Sequence, residues 1–286
     1  MTPARREQTT YTLITTFPHG MALPNISIDD AAIPIVRNRL EIIVTETSAP
    51  ATHQADWAPV LIGQSLLFGL LGKLLYSNPA RDWVEPLALD NLFEEAPFAA
   101  EQESTQRALK LLGEWSADVA REGLTEAMLE DLRVDYTRIF VGHRRMDVPA
   151  WESVYFNQER LTFQEETVSV RRWFDRFGVK PGINAREPED HIAFELSFVG
   201  HLAEQAANAL DAGDGAAFTE LLAAQREFLS DHLLRWGWKW TELALEQAQT
   251  NFYQGLALLV QGGLFELSAL YDVPIDWEIR FPGLGA

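Results

Sequence analysis

Apolar residues recur along most of this chain at the three- and four-residue steps of an amphipathic helix. Val60, Leu61, Leu67, Phe68, Leu71, Leu74 and Leu75 predict a helix that starts behind an Asp56 N-cap and runs to about Tyr76. Leu109, Leu112, Trp115 and Val119 predict a second over Ser104 to Arg121. Thr125 is placed to cap a third that reaches Phe140, with Gly142 just past its end. Another spans Glu165 to Phe177 and stops at Gly178. Pro188 sits at the favoured first-turn position of a long helix, with Glu189 and Asp190 suited to its positive end. The core stripe of that helix is Ile192, Leu196, Val199, Ala203, Ala206 and Leu210. After a turn at 211–215, further helices are expected at about Ala216 to Leu234 and Asn251 to Tyr271, with 233–249 partly helical. The pattern is therefore all-α: a single globular bundle of roughly eight or more helices.

Residues 1–55 break this pattern and read as an N-terminal extension of uncertain order, ahead of a helical domain over 56–286. Leu40 to Glu46 could form a strand, and Thr47 to His53 reads as a linker. Arg5-Arg6 is followed by Thr9, Thr10, Tyr11 and Thr12, too polar for a secretory leader, so the pair reads as accidental. The longest apolar run, Val60 to Leu75, is interrupted by Gln64, Ser65 and Lys73 and is shorter than the roughly 20 residues of a membrane span. A soluble, cytoplasmic protein is expected.

Composition narrows the chemistry. The 286 residues include 23 Lys and Arg against 42 Asp and Glu, a net charge of −19, which disfavours phosphate-backbone binding. There is no cysteine, which removes disulfides, thiolate catalysis and Cys-ligated metal centres. Gly72-Lys73 lacks the first Gly and the Ser/Thr of a phosphate loop. Gly213-Asp214-Gly215 lacks the third Gly of a dinucleotide fingerprint. No Glu-x-x-His, His-Glu-x-x-His or Gly-x-Ser-x-Gly occurs.

Two dense segments remain. In Glu187-Pro188-Glu189-Asp190-His191, Glu195 lies four residues beyond the His, on the same helix face. His201 is ten positions on, roughly 80° round the helix. Such a cluster could be an acid–base pair or a metal site. It could be a ligand-recognition surface. It could equally cap the helix, with Glu195 bonding the imidazole. The segment Pro149-Ala150-Trp151-Glu152-Ser153-Val154-Tyr155 could plug the core or offer an aromatic recognition surface. Trp236, Trp238 and Trp240 are more readily core than groove.

Together these segments resemble the TorD/DmsD family of redox-enzyme maturation chaperones. The family pattern Tyr-x-x-x-Phe-x-Gly is met by Tyr136, Phe140 and Gly142. Its Pro-Pro-Trp-Glu-Ser-Val-Tyr-like loop is met by Pro149, Trp151, Glu152, Ser153, Val154 and Tyr155. Its Glu-Pro-Glu-Asp-His helix opening is met by Glu187, Pro188, Glu189, Asp190 and His191, followed by Glu195 and Leu196. Weaker echoes are Arg171, Trp173, His232 with Trp236, and Phe252-Tyr253 with Gly255-Leu256-Ala257. Ala150 replaces the second Pro, and Asn157 stands where an Asp is common.

The resemblance implies a chaperone without catalysis, catalytic residues or bound metal. Its partners would be the twin-arginine signal peptide and the apoprotein of a molybdenum-cofactor oxidoreductase of the dimethyl-sulfoxide-reductase type. It would assist cofactor insertion and hold back premature export, and would carry no cofactor of its own, with weak GTP binding allowed by the resemblance. The resemblance implies a signal-peptide site of Trp151, Glu152, Ser153, Val154, Tyr155, Glu189, Asp190, His191, Phe194 and Glu195. Tyr136, Phe140, Gly142, Pro149 and Pro188 would be structural. Phe194 and Phe198 lie off the core stripe, on the side of His191 and Glu195, which points to a groove beside unpaired carboxylates. A monomer or a segment-exchanged homodimer is expected. The alternative is a helical metal- or nucleotide-dependent enzyme using Asp190, His191 and Glu195.

Overall fold

The computed structural model describes residues 57–142, 147–157, 159–180 and 186–278. The expected extension, strand, linker and Asp56 cap lie outside the described residues. In chain order the elements are α1 (Trp57–Tyr76), α2 (Arg81–Leu89), α3 (Glu103–Glu122) and α4 (Glu126–Tyr136), which runs into a π-helical turn (Thr137–Val141). The short α5 (Ser153–Phe156) follows, then α6 (Glu165–Arg176), α7 (Ile192–Asp211) and α8 (Gly215–Phe228). A second π-helical turn (Leu229–Leu233) leads into α9 (Leu234–Gln247) and α10 (Asn251–Tyr271). Among the described residues there is no strand, as the all-α reading expects.

Two close helix pairs organise the bundle, α1 with α7 and α3 with α10. Each depends on missing side chains. A Cβ on Gly72 of α1 would fall 1.9 Å from Ser197 Oγ and 2.7 Å from the Ala193 carbonyl of α7. A Cβ on Gly262 of α10 would fall 2.1 Å from Thr105 Oγ1 of α3. With glycine at these points the backbones approach closely and the flanking leucines and aromatics interlock. α1 is long and apolar enough to cross a membrane by length and composition alone, and 56% of that apolar window is buried within the bundle.

The helix ends differ from expectation in instructive ways. Thr125 caps α4, its side chain accepting from Met128 N at 3.2 Å. Asp135, near the end of the same helix, is buried and Oδ2 accepts from Gln249 N, Thr250 N and Thr250 Oγ1 at 2.7–2.9 Å, closing the turn into α10. The helix then widens into the π turn, which Gly142 ends with a left-handed φ of 67° and an N–H to the Thr137 carbonyl at 2.8 Å. The helix expected over 216–234 is divided by the second π turn, and α2 and α5 were not anticipated. Pro188 does not open α7. It begins a tight turn whose carbonyl accepts from His191 N at 3.2 Å, and α7 starts only at Ile192.

Candidate functional site

The two segments singled out in the sequence meet as a short antiparallel β-bridge between Trp151 and His191. Glu152 N donates to the Asp190 carbonyl at 2.9 Å, and Ile192 N donates to the Ala150 carbonyl at 2.7 Å. This pairing is why Pro188 cannot start the helix: His191 is held extended against the loop. His191 becomes the N-cap, its Nδ1 accepting from Ala193 N at 3.2 Å. An accepting Nδ1 leaves the ring proton on Nε2. Burial drives the imidazole down to about 3, so it is neutral near pH 7. Four rings enclose it at centroid distances of 5.6–6.2 Å: Tyr76, Phe140, Trp151 and Phe194. Phe140 is delivered by the first π turn. Tyr136, one turn earlier, donates its hydroxyl to the Tyr76 carbonyl at 2.8 Å.

Beside this cage lies a buried acid network. Asp190 Oδ2 accepts from Ser153 N and Oδ1 from Thr167 Oγ1, both at 2.9 Å, tying the start of α5 to α6. Glu152 Oε2 lies 2.7 Å from His232 Nδ1, and Nε2 of the same ring lies 3.1 Å from Ser169 Oγ. The second π turn carries His232, so both π turns direct a ring at the bridged segments. Glu195 accepts from Trp236 Nε1 at 3.1 Å. Burial, reinforced by the Glu152 charge, pushes Glu195 well above the carboxylate range. Burial raises Glu152 as well, opposed by His232 and by Arg235, whose guanidinium is 3.6 Å away.

Several expectations are corrected here. Glu195 does not bond the imidazole of His191, and its partner is Trp236. His201 stands apart, facing the Phe177 backbone. Phe194 and Phe198 line no groove, since both are fully buried, Phe198 between Phe174 and Phe228. α7 is buried on nearly all sides over its first half, so a stripe argument could not separate core from groove. Trp151, Glu152, Ser153, Val154, Tyr155, Asp190, His191 and Glu195 are likewise buried. The carboxylates are not unpaired. Glu189 is taken by Arg171 in a two-point fork of 2.7 and 2.9 Å. Of the structural residues, Pro149 accepts at its carbonyl from the Tyr155 hydroxyl at 2.8 Å. Among the described residues, no three His, Asp or Glu side chains converge as metal ligands.

Sequence reasoning missed Thr167, Ser169, Arg235 and the part played by Asn157. The Asn157 amide donates to the Ser153 and Leu161 carbonyls at 2.6 and 2.8 Å, and its oxygen accepts from Leu161 N at 2.9 Å. An Asp could not donate to either carbonyl. Asn157 thereby fixes the start of a loop in which Arg160 and Phe163 both adopt left-handed φ, 56° and 61°. For a residue as bulky as Phe this conformation is strained, and Phe163 is 64% exposed.

A family model described as nitrate reductase delta subunit matches residues 98–242, which include both bridged segments. Among curated relatives, a probable Tat proofreading chaperone DmsD from Haemophilus influenzae is 26% identical over 159 residues, 56% of this chain and 68% of the relative. A Tat proofreading chaperone DmsD from Salmonella typhi is 25% identical over 206 residues, 72% of this chain and 89% of the relative. A chaperone protein TorD from Vibrio cholerae is 34% identical over 137 residues, 48% of this chain and 59% of the relative.

Proposed function

The chain belongs to the TorD/DmsD family, and from that premise we propose that it binds the twin-arginine signal peptide and apo-form of a molybdenum-cofactor oxidoreductase in the cytoplasm, assisting cofactor insertion and delaying export. Membership makes it a redox-enzyme maturation chaperone and not an enzyme. The observation that carries the finer reading is the bridge between Trp151 and His191 beside the buried acid network. It holds the Glu187–Glu189 turn against the rest of the site.

In this reading the site has two layers. Ser153, Val154, Tyr155, Asp190, His191, Phe194 and Glu195 set the shape of the recognition segment from beneath, and Trp151 and Glu152 anchor the loop. Glu187 and Glu189 stand at the accessible edge and receive guanidinium groups, which match carboxylates in a planar fork. The apolar stretch of the peptide lies along Leu161, Phe163 and Val168, all exposed. Phe163 and Val168 occupy the N′ and N4 positions of α6, which lie beside each other. Val168 is also three residues from Arg171, on the same helix face.

Isothermal titration with a synthetic peptide bearing Arg-Arg ahead of an apolar stretch of about 12 residues tests the reading. Saturable binding is expected, weakened by Glu189→Gln and by Phe163→Ser. Absence of binding by folded protein to such peptides would sink it.

A further inference from the structure

The accessible carboxylate of this site is already occupied by a guanidinium from the protein itself. Arg171 Nε and the Nη2 of the same group donate to the two oxygens of Glu189 at 2.7 and 2.9 Å. This is the fork that an arginine from a peptide would make. Arg171 is 49% exposed at its side chain while Glu189 is only 17% exposed. The carboxylate is set into the surface and the arginine covers it from the solvent side.

The second arginine near the network behaves differently. Arg235 lies 4.0 Å from the Phe156 ring centroid, donates to the Asp231 carbonyl at 3.0 Å, and faces buried Glu152 at 3.6 Å. Three separate contacts hold it in place, and its removal would strand a buried charge. Arg171 has one strong partner. Four residues on, one turn along the same helix, Asp175 exerts a favourable electrostatic pull on it. Asp175 thus offers Arg171 a carboxylate on its own helix at the i, i+4 spacing.

Resting on the chaperone reading above, we propose that Arg171 is a resident occupant of the Glu189 seat, and that a peptide guanidinium enters by displacing it toward Asp175. The exchange replaces one fork with another, so the number of charge-assisted hydrogen bonds at Glu189 is conserved. An exposed pair contributes little net stability, so the resident arginine screens the seat without closing it. A lysine, which cannot form the fork, does not match the resident bond and displaces it poorly. The device selects for arginine by making the entrant compete against arginine.

The test uses the full chain and two synthetic peptides, one with Arg-Arg and one with Lys-Lys ahead of the same apolar stretch. Arg171→Gln is expected to bind the Arg-Arg peptide about two- to fivefold more tightly than the wild type, from the size of an exposed ion pair. The gain should vanish in the Glu189→Gln background, and the preference for Arg-Arg over Lys-Lys should narrow in Arg171→Gln. In ¹⁵N spectra of the wild type, the Arg171 Nε–H signal should move from its carboxylate-bonded position as peptide is added. Circular dichroism confirms that each variant is folded, and Arg171→Met serves if Arg171→Gln is not. If the wild type binds while the Arg171 variants bind equally or more weakly, the exchange is overturned and the chaperone reading stands. If the Arg171 signal does not move at saturation, the exchange is likewise overturned. If neither the wild type nor the variants bind, both readings fall together.

Discussion

Glu152 Oε2 sits 2.7 Å from His232 Nδ1, joining residues 80 positions apart in a contact closed to solvent. The ring then passes to Ser169 of α6, so one imidazole ties the bridged loop, the second π turn and α6.

Removing the carboxylate should therefore be expensive in a way that removing its charge is not. Glu152→Ala leaves His232 and Arg235 facing a void and should lower stability by about 3 kcal/mol, a Tm loss of roughly 6–12 °C for a domain of this size. Glu152→Gln keeps an acceptor toward His232 and should lose less than half of that. Urea denaturation of both variants measures the difference. Equal losses would show that charge, and not the hydrogen bond, is what the site requires.

His191 makes stability depend on acidity. Its folded value lies at about 3 against an ordinary 6.5, so the folded state binds a proton less readily than the unfolded chain. Its contribution is fully present above 6.5 and is lost as the pH falls from there toward 3, at up to about 1.4 kcal/mol per pH unit. His191→Asn retains a side chain able to cap α7 and removes the titration. The acid limb of a stability–pH profile should become shallower by one proton in this variant. An unchanged slope would assign the acid sensitivity to other groups.

Asn157→Asp, although nearly isosteric, should destabilise this chain. Two donated hydrogen bonds, to the Ser153 and Leu161 carbonyls, are lost, and a carboxylate is placed against those oxygens. A loss of about 1–2 kcal/mol is expected, with faster amide exchange across 159–164. Unaltered exchange there would mean that the strained Phe163 loop is held by other contacts.

The sequence made the helical periods legible because most helices here have one apolar face and a local end signal. Thr125 with Met128 and Gly142 with Thr137 are readable caps and stops. The two site segments were legible too, but their arrangement was not. Pro188 carried a helix-start signal that the bridge between Trp151 and His191 overrides. The acids were expected to stand unpaired beside a groove, because Phe194 and Phe198 lie off the core stripe of their helix. Their partners Thr167, Arg171, His232 and Trp236 come from other helices at separations of 18 to 80 residues, which no local spacing encodes. The π turns that aim Phe140 and His232 leave no periodic trace over five residues each.

The fit of α1 against α7 also sets the order in which the protein can be made. The close packing at Gly72, where a Cβ would collide with Ser197, waits for a residue that leaves the ribosome more than a hundred positions later. Throughout that interval α1 presents an apolar helix, long enough to enter a bilayer, whose main packing partner is still missing. The α1 side of the core therefore closes only once α7 has been made.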